Sequence, residues 1–153
     1  MQPSELRSLW ERRRATLRRL IEGIPEGHEA ICAAPGAMPL VDHALHILSS
    51  EKTAVDALTV TPGQWQWETG IDSKHYPTQE AALRVLEEQT ARTAEYFANL
   101  TPEKMVETIK LPWGEEPTVE AFWVGWLTHD AHHCGSMIAT MRAGGIEPPG
   151  VWG

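Results

Sequence analysis

Apolar side chains recur every three or four residues along four long stretches of the chain, and proline, glycine or a capping threonine fences each stretch. A period near 3.6 gathers such side chains on one side of a helix, and that side must be buried against another element. Pro3 and Ser4 open the first stretch, residues 3–23, whose stripe is Leu6, Leu9, Trp10, Leu17, Leu20, Ile21 and Ile24; Gly23 and Pro25 close it. The second, 39–58, carries Leu40, Ala44, Ile47, Leu48, Val55 and Leu58 and stops at Thr61-Pro62-Gly63. Thr78 caps a third that runs to Leu100, where Thr101-Pro102 ends it. The last begins near Thr118 and runs to about Arg142, ahead of Gly144, Gly145 and Pro148-Pro149. Residues 105–117, interrupted by Pro112, Gly114 and Pro117, suit a short extended pair or hairpin better than a long helix.

Four amphipathic segments without a strand of comparable length predict an all-α four-helix bundle, and 153 residues predict a single domain over 1–153. The link between the second and third segments holds Trp65, Trp67, Gly70 and Pro77 but no sustained period. It is a crossover, long enough to let the two helices it joins lie parallel.

Charge and composition narrow the function. Thirteen basic against 21 acidic residues give a net charge of −8, which withholds electrostatic support from nucleic-acid binding. Six arginines crowd into residues 1–20, and with an apolar stripe to bury they read as the solvated side of a helix rather than a presequence. No apolar run approaches the ~20 residues that span a bilayer, so no membrane partner is expected. Two cysteines, Cys32 and Cys134, are too few for a disulfide framework, which makes a reducing cytoplasm the expected location.

The most informative stretch is Thr128-His129-Asp130-Ala131-His132-His133-Cys134-Gly135-Ser136 on the last helix. His129 and His133, four residues apart, stack one above the other and can aim both imidazoles at one ion, while His132 points away. His133 falls within the stripe of Phe122, Trp123, Trp126, Met137 and Met141, where lost hydration favours the neutral ring that a metal needs. A catalytic ion needs a third ligand with one position left open, and the second helix offers His43 and His46. Periodicity places His43 nearer that helix's buried centre and His46 further round. HDAHH also resembles the zincin pattern HExxH with Asp130 in place of the glutamate, but Asp130 is a methylene shorter and fits better as an orienting group behind a ligand or as the partner of a basic neighbour. An HD-type phosphohydrolase would need a further downstream aspartate, and none follows Asp130. Cys134 reads as packing, as do Trp10, Trp123 and Trp126, whereas Trp65, Trp67 and Trp113 lie in connections that can rim a pocket. Arg13 and Glu51 fall within the stripes of their helices and predict a buried polar network.

His46-Ile-Leu-Ser-Ser-Glu51, the crossover, His129 to His133 followed by Gly135, and the tail from Met141-Arg142-Ala143-Gly144-Gly145 to Pro148-Pro149 together resemble the DinB/YfiT-like superfamily of metal-binding four-helix bundles, over nearly the whole chain. The resemblance implies an up-down-down-up bundle in which His46, His129 and His133 bind a divalent metal, with His43 as the competitor for the helix-two position. Cys134 and Ser136 stand where family members often carry Arg and Gln. Nitrogen ligands suit Zn, Ni, Fe or Cu, and availability puts Zn first. Three neutral imidazoles leave the ion's charge uncompensated, so an anionic partner is expected in the open position. The superfamily includes bacillithiol-type S-transferases and mycothiol-dependent isomerases. By resemblance the metal would hold a low-molecular-weight thiol as thiolate for attack on an electrophilic small molecule. The alternatives are a metal-dependent hydrolase and a non-catalytic metal-binding or stress-related bundle. A homodimer is expected on the same grounds.

Overall fold

Thr78 and Thr118 accept hydrogen bonds from Ala81 N and Ala121 N, both at 3.2 Å, and start the third and the last long helix where the sequence places them. The computed structural model describes residues 1–151; residues 152–153, at the end of the expected domain, lie outside the described residues. The helices are α1 (Pro3–Glu22), α2 (Leu40–Thr59), α3 (Gln79–Ala98), α4 (Pro102–Met105) and α5 (Val119–Ala143). The short α4, which the sequence reading did not anticipate, follows the break at Thr101, whose hydroxyl accepts from Lys104 N at 3.3 Å. Residues 107–119 then double back as an extended pair: Ile109 N donates to Pro117 O and Leu111 N to Glu115 O, both at 2.9 Å, around a bridge between Thr108 and Thr118.

Contacts along the helices fix their directions. The amino group of Met1 meets Glu120 at 3.1 Å, and at the far end of the same helix the Cβ position of Gly23 faces Pro149, so α1 and α5 run parallel. Trp10 packs on Phe97 while Gln79 Nε2 reaches Glu22 O, which makes α3 antiparallel to α1; His43 meets His133 and His46 meets His129, which makes α2 antiparallel to α5 and so to α1. The order is therefore up-down-down-up, with α1 and α2 diagonal to one another.

The crossover makes this order possible by returning along the side of α2. Thr53 Oγ1 donates to Gln66 O at 2.6 Å, Ser49 and Thr69 hydroxyls meet at 2.6 Å, and Ser73 donates to both carboxylate oxygens of Asp42 at 3.1 and 2.9 Å. Each contact satisfies a polar group that would otherwise face a helix without a partner. At the other end of the bundle, Gly145 adopts φ +72°, a left-handed conformation that costs little without a Cβ, and Ile146 N closes onto Met141 O at 2.8 Å to end α5.

The core comes in two apolar halves. One gathers Leu17–Ile24, Leu40–Leu48, Ala82–Leu86 and Met137–Met141; the other holds Leu6, Trp10, Phe97, Phe122, Trp123 and Trp126. Between them lies a polar layer of Arg14, Glu51, Gln89, Thr93 and Asp130, all buried. Glu51 is 0% exposed; it pairs with Arg14 and accepts from Thr93 Oγ1 at 2.6 Å and Trp10 Nε1 at 3.1 Å. The arginine of this network is Arg14, not the expected Arg13. Arg14 lies four residues after Trp10 and three before Leu17, on the centre of the stripe, whereas Arg13 sits at its margin. Among the described residues no helix is long and apolar enough to cross a membrane.

Candidate metal centre

Antiparallel packing of α2 against α5 brings the histidines of both helices together at the level of the polar layer. His46 Nε2 lies 3.1 Å from His129 Nε2, and one ring nitrogen from each of His46, His129 and His133 falls within 4.8 Å of the other two. Ring centroids are 4.6 Å apart for His46–His133 and for His129–His133. His46 and His129 are partly open, whereas His133 is 9% exposed. His132 faces out, as its position on the helix requires.

His43 is close by but outside this set. It is 8% exposed, more buried than His46, and its Nδ1 lies 3.0 Å from Nδ1 of His133. Periodicity thus reads the burial of His43 correctly, while the ring whose nitrogen shares the space between helices with both α5 histidines is His46. No sequence signal marked the His43–His133 bond beyond the three-residue spacing of His43 and His46.

Burial sets the protonation of the cluster. The His133 pKa is lowered to about 3, first by desolvation and then by the neighbouring His129, His46, His43 and His132. His43 and His46 are lowered too, each mainly by burial, with Asp42 and Asp130 respectively opposing the shift. These rings are held neutral, so their lone pairs are free for a metal without loss of a proton. Behind them, full burial raises the Glu51 pKa against the pull of Arg14. The Cys134 thiol is buried, its pKa pushed up to about 12 chiefly by that burial, and it packs in the apolar cluster of Met137 and Met141.

The donor set fits a divalent metal. A tetrahedral ion with bonds of ~2.0–2.1 Å spaces its nitrogens about 3.3 Å apart, near the observed His46–His129 separation. Buried His129 Nδ1 and Asp130 Oδ1 have no hydrogen-bond partner among the described residues and lie 3.6 Å from each other. An aromatic run leads away from the site: His129 to Trp126 at 5.5 Å, Trp126 to Phe122 at 5.1 Å, Phe122 to Trp65 at 5.6 Å, and on to the exposed rings of Trp67 and Trp113. The connection tryptophans therefore cluster with one another, with Trp65 lining a cavity away from the histidines, while Trp10, Trp123 and Trp126 pack inside. A cavity of about 1140 Å³ opens elsewhere, between the ends of α2 and α3 and residues 107–112, and none of the histidines lines it.

A family model described as the DinB superfamily matches residues 9–137. The chain belongs to the DinB superfamily. Its DinB fold is shared with YfiT from Bacillus subtilis, described as a probable metal-dependent hydrolase with an unusual four-helix bundle topology: TM-score 0.74, 16% identity, 94% of this chain and 87% of that one covered. A DinB-like protein from Bacillus cereus ATCC 10987 matches with TM-score 0.72 and 18% identity over 96% and 95% of the two chains. YjoA, a DinB-like protein from Bacillus subtilis, matches with TM-score 0.68 and 21% identity over 96% and 97%. No match was found among curated proteins.

Proposed function

We propose that this DinB protein is a metal-dependent enzyme in which His46, His129 and His133 hold a divalent transition metal, zinc first, and that it transfers a low-molecular-weight thiol to an electrophilic small molecule. The observation that carries the reading is the convergence of three imidazoles from α2 and α5 on one partly open point. A bound ion there would supply Lewis-acid chemistry, acidifying the group in its open position. The chain's own residues define the rest. The one thiol beside the site, Cys134, is buried and protonated, so the attacking sulfur comes from outside the protein. Trp126, packed against His129 and backed by Phe122, walls one side of the site with apolar rings. In the transfer a sulfur–carbon bond forms as the electrophile's leaving group departs, and the thiol proton passes to solvent.

A second reading, hydrolysis, draws on the description of YfiT as a probable metal-dependent hydrolase. Elemental analysis of wild type beside His46→Ala and His129→Ala tests the site: one divalent ion per chain in wild type and a clear loss in both variants is expected. Wild type without stoichiometric metal under metal-replete conditions overturns it. Conjugation that requires both metal and a small thiol supports transfer, and metal-dependent turnover of esters or amides without thiol replaces it with hydrolysis.

A further inference from the structure

Resting on the metal-site reading, we infer that His43 and Asp130 are positioning residues that hold His133 and His129 with their protons on Nδ1, so that Nε2 of each faces the ion. A neutral imidazole donates from one nitrogen and offers a lone pair from the other, so whatever occupies Nδ1 decides what Nε2 can do. Nδ1 of His133 is engaged by His43 at 3.0 Å. If His43 were the donor, His133 would carry its proton on Nε2 and could not ligate through it. The ligating arrangement has His133 Nδ1–H donating and His43 Nδ1 accepting.

The same logic applies to His129 with a different partner. Asp130 Oδ1 is an acceptor, buried, without a hydrogen-bond partner among the described residues and 3.6 Å from His129 Nδ1, which also has none there. Two bare acceptors facing each other out of water would leave both unsatisfied, an arrangement a buried pair does not sustain. A proton on Nδ1 satisfies both once the side chains close by a fraction of an ångström. His129 Nε2 then carries a lone pair, and in the metal-free protein it accepts from His46 Nε2–H across the 3.1 Å gap. Metal entry requires only that His46 exchange its proton between its two nitrogens.

Imidazole nitrogen shifts of the ¹⁵N-labelled, metal-free protein read these tautomers directly. Nδ1–H for His133 and His129 with Nε2–H for His46 is the expected result; Nε2–H at His133 or His129 overturns the inference. Cobalt(II) titration, with zinc competition, supplies the second readout. His43→Phe and Asp130→Leu should weaken binding about 10- to 100-fold, whereas His43→Asn and Asp130→Asn, which keep an acceptor atom near the original one, should stay within a few-fold of wild type. Unchanged affinity in folded His43→Phe and Asp130→Leu overturns the inference. So does loss of bound metal in His43→Asn with retention in His46→Ala, which would make His43 the ligand. A wild type without metal affinity overturns the functional reading instead, and the nitrogen shifts still judge the tautomers.

Discussion

Glu51 of α2 and Arg14 of α1 form a buried ion pair across the bundle's diagonal, at the level that divides the apolar core into two halves. Burying two charges costs several kcal/mol each, and the pair offsets that only while both members are present.

Removing one member should therefore be far worse than removing both. Glu51→Met or Arg14→Met is expected to cost ~3–5 kcal/mol in urea unfolding, and the two changes together less than either alone. Additive costs would mean that the two charges do not depend on each other.

Metal should act on stability through the histidine site. With free zinc at about 100 times Kd, mass action adds ~2.7 kcal/mol, and a chain of this size gains roughly 2–4 °C in Tm per kcal/mol. Wild type is expected to gain about 5–10 °C in a thermal scan and His129→Ala close to nothing. Equal gains in both would place the bound zinc elsewhere.

The two cysteines should behave as opposites. Cys32 is exposed, while Cys134 is buried with its thiol pushed up to about 12. Titration with a disulfide reagent at pH 8 is expected to find one fast thiol in the native protein and two in denaturant. Loss of the fast thiol in Cys32→Ser assigns it, and a native count of two contradicts the burial.

Acid should loosen the seam between α2 and α3. Asp56 receives Lys52 of its own helix and Arg92 of α3; burial raises its pKa, but those hydrogen bonds and charges outweigh it and the net shift is downward. A folded pKa below the unfolded value of ~3.9 means that the contribution is complete above the unfolded value and is lost as pH falls from there through the folded pKa, because the unfolded chain takes up the proton first. Asp56→Asn should lower stability by about 0.5–1 kcal/mol at pH 7 and have little effect near pH 2. The difference between the two denaturation profiles across that range checks the sign.

Much of this was legible from the chain. The long helices announce themselves because Thr78 and Thr118 are caps and because proline and glycine interrupt the apolar period on both sides. The crossover follows from a connection too long and too aperiodic for a hairpin. Periodicity reports how deep a side chain lies but not which neighbour it meets: it finds His43 buried, yet that ring turns to His133 as a partner while the shallower His46 shares the site. Arg13 and Arg14 are separated by 100° on one helix; the spacing from Trp10 and Leu17 centres Arg14 on the stripe, and Glu51 across the bundle meets it there. The one-turn α4 is too short for any period to register, whereas Pro112, Gly114 and Pro117 already mark the segment around the Thr108–Thr118 bridge as an extended pair.

Because α1 and α5 lie side by side and parallel, α1 has half of its apolar side waiting for residues made more than a hundred positions later. Until those residues emerge, a growing chain exposes Leu6, Trp10 and Leu17 to water or to a chaperone, despite the helical content that normally marks a fast, locally folding protein. The histidine pair on α5 thus arrives with the segment that completes the fold, and competence to bind an ion and completion of the core become a single late event.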